Sequence, residues 1–164
     1  MNKDQLKIWV LGVGLTLAGF MVAYQFVEPA PPKHIRIATG SLTGAYYSFG
    51  NLYKELLKQE GITLDVKQTA GSVANIGLLE DPKSGVDVAF VQGGTADAST
   101  GDQLVALASL YYEPLWVFTR EGLVIDRLTD LRSSRVAIGP EGSGTRAVAL
   151  ELLESNRLDD KNTL

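Results

Sequence analysis

From Ile8 to Val27 the chain reads IWVLGVGLTLAGFMVAYQFV, twenty residues without a charge. Coiled as a helix at 1.5 Å per residue, such a run matches the roughly 30 Å hydrocarbon core of a bilayer. Ten of the twenty are Leu, Ile, Val or Phe. Each favours the bilayer centre by roughly 0.3–0.6 kcal/mol, enough to outweigh one Gln and a few glycines. The segment is therefore expected to span a membrane and to take no part in a water-soluble core. Lys3 and Lys7 precede it, whereas Glu28 and three prolines come after it. The excess of basic residues on the N-terminal side places residues 1–7 in the cytoplasm and everything after Val27 outside. A cleaved signal peptide shares the basic start and apolar middle. No clear A-x-A site precedes Glu28 and the run is longer than a usual signal core, so an uncleaved anchor over 8–27 is the preferred reading. Gly12/Thr16 and Gly14/Ala18 are small pairs of the kind that support helix pairing in membranes.

EPAPPK, residues 28–33, is a stiff polyproline-type spacer that sets the folded part off the membrane. From His34 onward the residues alternate in an α/β pattern. Ile35 to Thr39 suits a buried strand. Phe49, Leu52, Tyr53, Leu56 and Leu57 then fall on one helical face, closed by Gly61. Ile62, Leu64 and Val66 alternate as a second strand. Ser72 to Leu79 reads as a second helix with Ser72 as its N-cap, and Val86 to Val91 as a third strand. Further strands are expected at Leu104–Ser109, Leu115–Thr119 and Arg135–Ile138, and a helix from about Thr145 to Ser155. Alternation of this kind implies a mostly parallel sheet flanked by helices. Residues 34–112 form the expected first lobe, and 113–164 the crossover and the start of a second. The sequence stops where the next strand of that second lobe is expected, so the chain reads as truncated or partial.

Totals exclude some partners. With 15 Lys+Arg against 19 Asp+Glu, a net charge of -4 and no basic cluster, the chain lacks the concentrated positive face on which nucleic-acid binding depends. It has no cysteine, hence no disulfide, thiolate metal site or cysteine nucleophile. His34, the one histidine, stands beside the proline spacer and is expected to be exposed. No histidine-based triad and no metal constellation is visible. No cofactor is expected.

On open α/β sheets, ligands bind at the carboxyl ends of strands, where loops become helix N-termini. Three loops meet that description: Gly40–Tyr47, Gly71-Ser72, and Gln92-Gly93-Gly94-Thr95. A fourth, Gly142-Ser143-Gly144-Thr145, repeats the logic of the first. The leading amide groups of a helix have no intrahelical partner, and with the helix dipole they attract an anion. Hydroxyls of Ser41, Thr43, Ser143 and Thr145 can add hydrogen bonds to a carboxylate or phosphate. Gly44 and Gly144 let it approach, Tyr46 and Tyr47 supply flat walls, and the Gln92 amide can donate and accept. The plainer alternative is that the glycines permit tight turns, Ser41 or Thr43 caps a helix and the tyrosines are core. GSGTRA also fits the dinucleotide pattern G-x-G-x-x-G/A, but no strand precedes Asp159-Asp160, and no phosphate-binding G-x-x-x-x-G-K-[ST] loop exists. Arg146 can pair with a ligand carboxylate, or be exposed or ion-paired.

Four blocks, IRIATGSLTGAYYSFGNLYKELL, GSVANIGLLE, VDVAFVQGGTA and LRSSRVAIGPEGSGTRAVALELLE, together with YYEPLWVF between the last two, span nearly all of Ile35 to Glu154. In this order they resemble the TAXI family of extracytoplasmic solute receptors of TRAP transporters. The resemblance implies a two-lobed fold of the type II periplasmic-binding-protein kind, without catalysis. It would close on a small carboxylate-bearing solute, of the glutamate, glutamine or organic-acid class, and deliver it to TRAP permease subunits in the membrane. Carried over position by position, it implies a pocket drawn from Ser41, Gly44, Tyr46, Gln92, Ser143, Gly144 and Thr145, on the periplasmic side of the inner membrane and tethered by a single span. Family members are usually much longer, and many are released by signal cleavage. Two other functions stay open: an enzyme holding a nucleotide or phosphorylated substrate on GSGTRA, and a membrane-anchored sensory or interaction domain.

Overall fold

The computed structural model describes residues 2–27, 32–96 and 104–158. The chain divides into two units, Met1–Pro32 and Lys33–Leu164.

The first unit is one helix, α1, Lys3–Tyr24. Its start is fixed by a capping box in which Asn2 and Gln5 satisfy each other's terminal amides, with Asp4 in the first turn. It is long and apolar enough to cross a membrane, and none of its residues is buried within the protein. Thr16 donates its hydroxyl to Gly12 O at 2.8 Å, so the hydroxyl is satisfied inside the helix, as an apolar surrounding requires.

The second unit is α/β. Three parallel strands stand in the order β2-β1-β3, with β1 His34–Ala38 in the centre, β2 Thr63–Lys67 and β3 Val88–Ala89. Helices α2 Ala45–Gln59 and α3 Ser72–Glu80 connect them. β3 is shorter than the expected Val86–Val91, yet Asp87 N donates to Arg36 O and Phe90 N to Ala38 O, which continue its pairing with β1 at both ends. The core here is Ile37, Leu64 and Phe90, packed by Ile35, Tyr46, Leu57, Val66 and Val88.

α2 lies on this sheet through a stripe that keeps Tyr53 and Leu57 of the expected one and not Leu52 and Leu56. Tyr46, Gly50, Tyr53 and Leu57 face the strands, whereas Leu52 and Leu56 are 61% and 58% exposed. Gly50 sets the rotation: a β-carbon there would stand 2.9 Å from Thr39 Cγ2 and 3.0 Å from Val66 Cγ1. Only a residue without a side chain admits so close an approach. α2 ends as expected at Gly61, whose φ of +73° lets Gly61 N bond Lys58 O and Ile62 N bond Leu57 O, a Schellman ending.

Helix α4, Gly144–Ser155, packs with the 3-10 turn at Leu128–Leu131 around a second core of Leu131, Ile138, Leu153 and Leu158. Expected strands at Leu104–Ser109, Leu115–Thr119 and Arg135–Ile138 carry no ladder among the described residues. An extended segment becomes a strand only where a neighbour pairs its amides and carbonyls, and none of the described residues does so. Val105, Leu107, Tyr112 and Phe118 accordingly stand 80% or more exposed. Ser72, too, is not the N-cap of α3. Gly71 holds that position at φ +130°, and Ser72 is the first helical residue.

Candidate functional site

β1 ends at Ala38, β2 at Lys67 and β3 at Ala89, and the chain beyond each carboxyl end bends toward the same region. The clamp beneath it is Asn75, which is wholly buried. Its side-chain amide donates to Thr39 O at 2.6 Å and Phe90 O at 2.8 Å, and its Oδ1 accepts from the Thr69 hydroxyl at 2.6 Å. The three strand ends are thereby joined by one side chain whose donors and acceptor are satisfied, as burial demands.

Above the clamp, two helix N-termini meet. Ala74 N, in the first turn of α3, donates to Gly142 O at 3.2 Å. A β-carbon on Gly71 would stand 3.2 Å from Ser143 Cα and 3.5 Å from Gly144 N, and one on Gly142 would stand 3.0 Å from Ala70 Cβ. One on Gly144 would strike Gln92 Oε1 at 2.6 Å and Ser72 Oγ at 2.7 Å. The glycines of the second turn are thus required by the close approach of the 70–74 backbone and of two polar side chains. Ser72 Oγ accepts from Gln92 N at 2.9 Å, which fixes the end of β3 against the start of α3.

The expected site residues separate into two groups. Gln92 and Gly144 come together at Ser72, and Tyr46 packs on Phe90 with ring centroids 5.3 Å apart. Ser143 caps α4, accepting from Arg146 N at 3.2 Å and donating to Pro140 O at 2.8 Å, so its hydroxyl serves its own turn. Thr145 is exposed on the outside of that turn. Arg146 reaches back to Gly139 O at 3.4 Å. In the first turn, Ser41 O accepts from Gly44 N at 2.9 Å, and Gly44 caps α2 without help from a side chain. Ser41 and Thr43 are exposed there, and no contact joins either to the second turn. Gly71-Ser72, rather than the Ser41–Gly44 turn, is what faces Gly142–Gly144. His34 is exposed at the start of β1, as expected.

The amides of Gly144 and Thr145 find no acceptor among the described residues, and neither do those of Ala45, Tyr46 and Tyr47 at the start of α2. Both ends therefore keep the unpaired donors and dipole field that attract an anion. Two residues beyond the expected set complete the surroundings. The Tyr46 hydroxyl donates to Glu113 Oε2 at 2.6 Å, and the Tyr111 hydroxyl to Glu113 Oε1 at 3.1 Å. Burial first, and then the bonded Glu113 carboxylate, hold the Tyr46 phenol well above its ordinary value, with the Ser72 hydroxyl opposing. Tyr111 is pushed up to about 12, by burial and then by the charge and hydrogen bond of Glu113. YYEP gives a hint of this role: a carboxylate placed directly after two phenols and locked by proline.

The sequence pattern of the NMT1-like family matches residues 37–164, a span that takes in both glycine turns, Gln92, Glu113 and all of α4.

Proposed function

Since the chain belongs to the NMT1-like family, a family of solute-binding proteins, we propose that it captures a small carboxylate-bearing solute outside the cell membrane and hands it to TRAP-type permease subunits. α1 would serve as the single-span anchor and residues 34–112 and 113–164 as the parts of two lobes. The observation that carries the reading is the pair of amides at Gly144 and Thr145 that have no acceptor among the described residues and begin α4 beside Gln92 and Ser72. A carboxylate seated there would accept two backbone hydrogen bonds at the positive end of a helix. Gln92 Oε1 and the Ser72 hydroxyl would orient the rest of the solute, and Tyr46 would cover it. Nothing in this arrangement requires a nucleophile or an acid/base pair, in keeping with a family of binding proteins.

Calorimetric titration of the full chain in nanodiscs with L-glutamate, L-glutamine, succinate and glutarate tests the proposal. Saturable heat and a raised melting temperature with at least one of them are expected. Silence across the panel and a wider set of organic acids would overturn it. Co-purification with a multi-span permease tests the delivery half separately.

A further inference from the structure

We propose that residues 104–112 form a homodimer interface, pairing as an antiparallel strand with the same residues of a second copy across a two-fold centred on Ala108. This goes beyond solute capture and does not depend on it. From Leu104 to Thr119 no backbone amide or carbonyl makes a main-chain hydrogen bond among the described residues. Over the same stretch Val105 is 84% exposed, Leu107 80% and Tyr112 100%. Water can solvate such a backbone but cannot bury those side chains. Lipid or an apolar helix could cover the side chains but would leave the backbone unpaired. An extended polypeptide meets both needs, as in strand addition to an open edge.

One end of the segment is held in place. Tyr111 packs on Phe49 of α2 with ring centroids 5.3 Å apart, and the hydroxyls of Tyr111 and Tyr46 both bond Glu113. Pro114 then ends the pairing stretch, since proline has no amide to give to a ladder. The residues themselves select the occupant. LVALASLYY, 104–112, carries no charge, so a second copy brings no like charges face to face. With Ala108 opposite Ala108, Leu107 faces Ser109, Val105 faces Tyr111 and Leu104 faces Tyr112, each pair on one side of the ribbon. Val105 with Tyr111 is a β-branched and aromatic pair of the kind that stabilises sheets. It also brings Val105 of the second copy toward Phe49, beside which α2 leaves Leu52 and Leu56 exposed. Both copies gain the same contacts, as an isologous interface requires.

The experiment is light scattering on a dilution series of the full chain in detergent, where twice the mass of one chain is expected. Ala108 is exposed, so Ala108→Lys and Ala108→Glu should leave the melting temperature of the monomer unchanged. Each variant alone sets like charges opposite one another and should weaken association by about tenfold or more. An equal mixture of the two should dimerise again. The chain has no cysteine, so Ala108→Cys introduces a single thiol. Directly opposed residues of antiparallel strands approach within about 4.5–5.5 Å, inside the range of a disulfide. Oxidation should therefore give a covalent dimer, and the same change at Glu151, exposed on α4, should not. A monomer at every concentration overturns the proposal. So does a dimer that both charge variants keep in full, or one that Ala108→Cys fails to cross-link. None of these results touches the solute-binding reading.

Discussion

Gly71 and Ser143 meet backbone to backbone. A β-carbon on Gly71 would stand 3.2 Å from Ser143 Cα, and Gly71 adopts a φ of +130° that side chains rarely tolerate. Gly71→Ala therefore meets a crowded neighbour and a strained backbone together. We expect it to destabilise the chain by about 1–3 kcal/mol, read as a lower denaturation midpoint of the full chain in detergent. An unchanged midpoint would mean that the two turns do not pack in this way.

Asn75 joins the ends of β1, β2 and β3 through Thr39 O, Phe90 O and the Thr69 hydroxyl. Removing the amide leaves buried carbonyls without donors, at a cost on the order of 3 kcal/mol. Asn75→Asp should be no better than Asn75→Ala, because it turns an acceptor toward two carbonyl oxygens. Faster hydrogen exchange at Thr39 and Phe90, whose amides pair with Lys67 O and Ala38 O, would mark the loss. Unaltered exchange in both variants would contradict the clamp.

Much of this architecture is legible in the residues. Alternating apolar patterns mark β1 and β2, and Gly61 marks the end of α2, because both signals are local. Periodicity misjudges the facing stripe of α2, since Leu52 and Leu56 look like core to such an argument while the real determinant, Gly50, contributes no hydrophobicity. The strands expected after residue 103 fail for a related reason: Val105, Leu107 and Phe118 have strand-forming character, but pairing depends on partners far along the chain. The meeting of Gln92 with Gly144 is anticipated from their positions after strands. Glu113 and the contact of Gly71 with the 142–144 turn are not, because each depends on residues some 70 positions away.

Tyr46 and Tyr111 give the fold an alkaline limit. Both phenols are harder to ionise in the folded chain than in the unfolded one, where the ordinary value is about 10, and Tyr111 is pushed up to about 12. The unfolded chain therefore loses these protons first. Their contribution to stability is fully present below about pH 10 and declines as pH rises through about 12. Tyr111→Phe should flatten this decline in denaturation midpoints between about pH 10 and 12. A slope identical to that of the unaltered chain would contradict the environment described for Tyr111.

α4 closes on the second core through Leu158, whose amide bonds Leu153 O at 2.9 Å while Arg157 takes a φ of +58°. Leu158 is 3% exposed. Leu158→Ala should cost about 2–5 kcal/mol and lower the midpoint accordingly. A change of less than about 0.5 kcal/mol, the range of surface substitutions, would show that this core does not hold α4.

We propose that a solute sits on the amides of Gly144 and Thr145 at the start of α4, which have no acceptor among the described residues. The most direct measurement of this is selective ¹⁵N labelling of glycine in the full chain, followed by NMR as the solute found by calorimetry is titrated to saturation. A saturable shift of the Gly144 resonance with the calorimetric midpoint is expected, with a smaller one at Gly71 and none at Gly12, Gly14 and Gly19 of α1. Measurable heat with a stationary Gly144 resonance would contradict it.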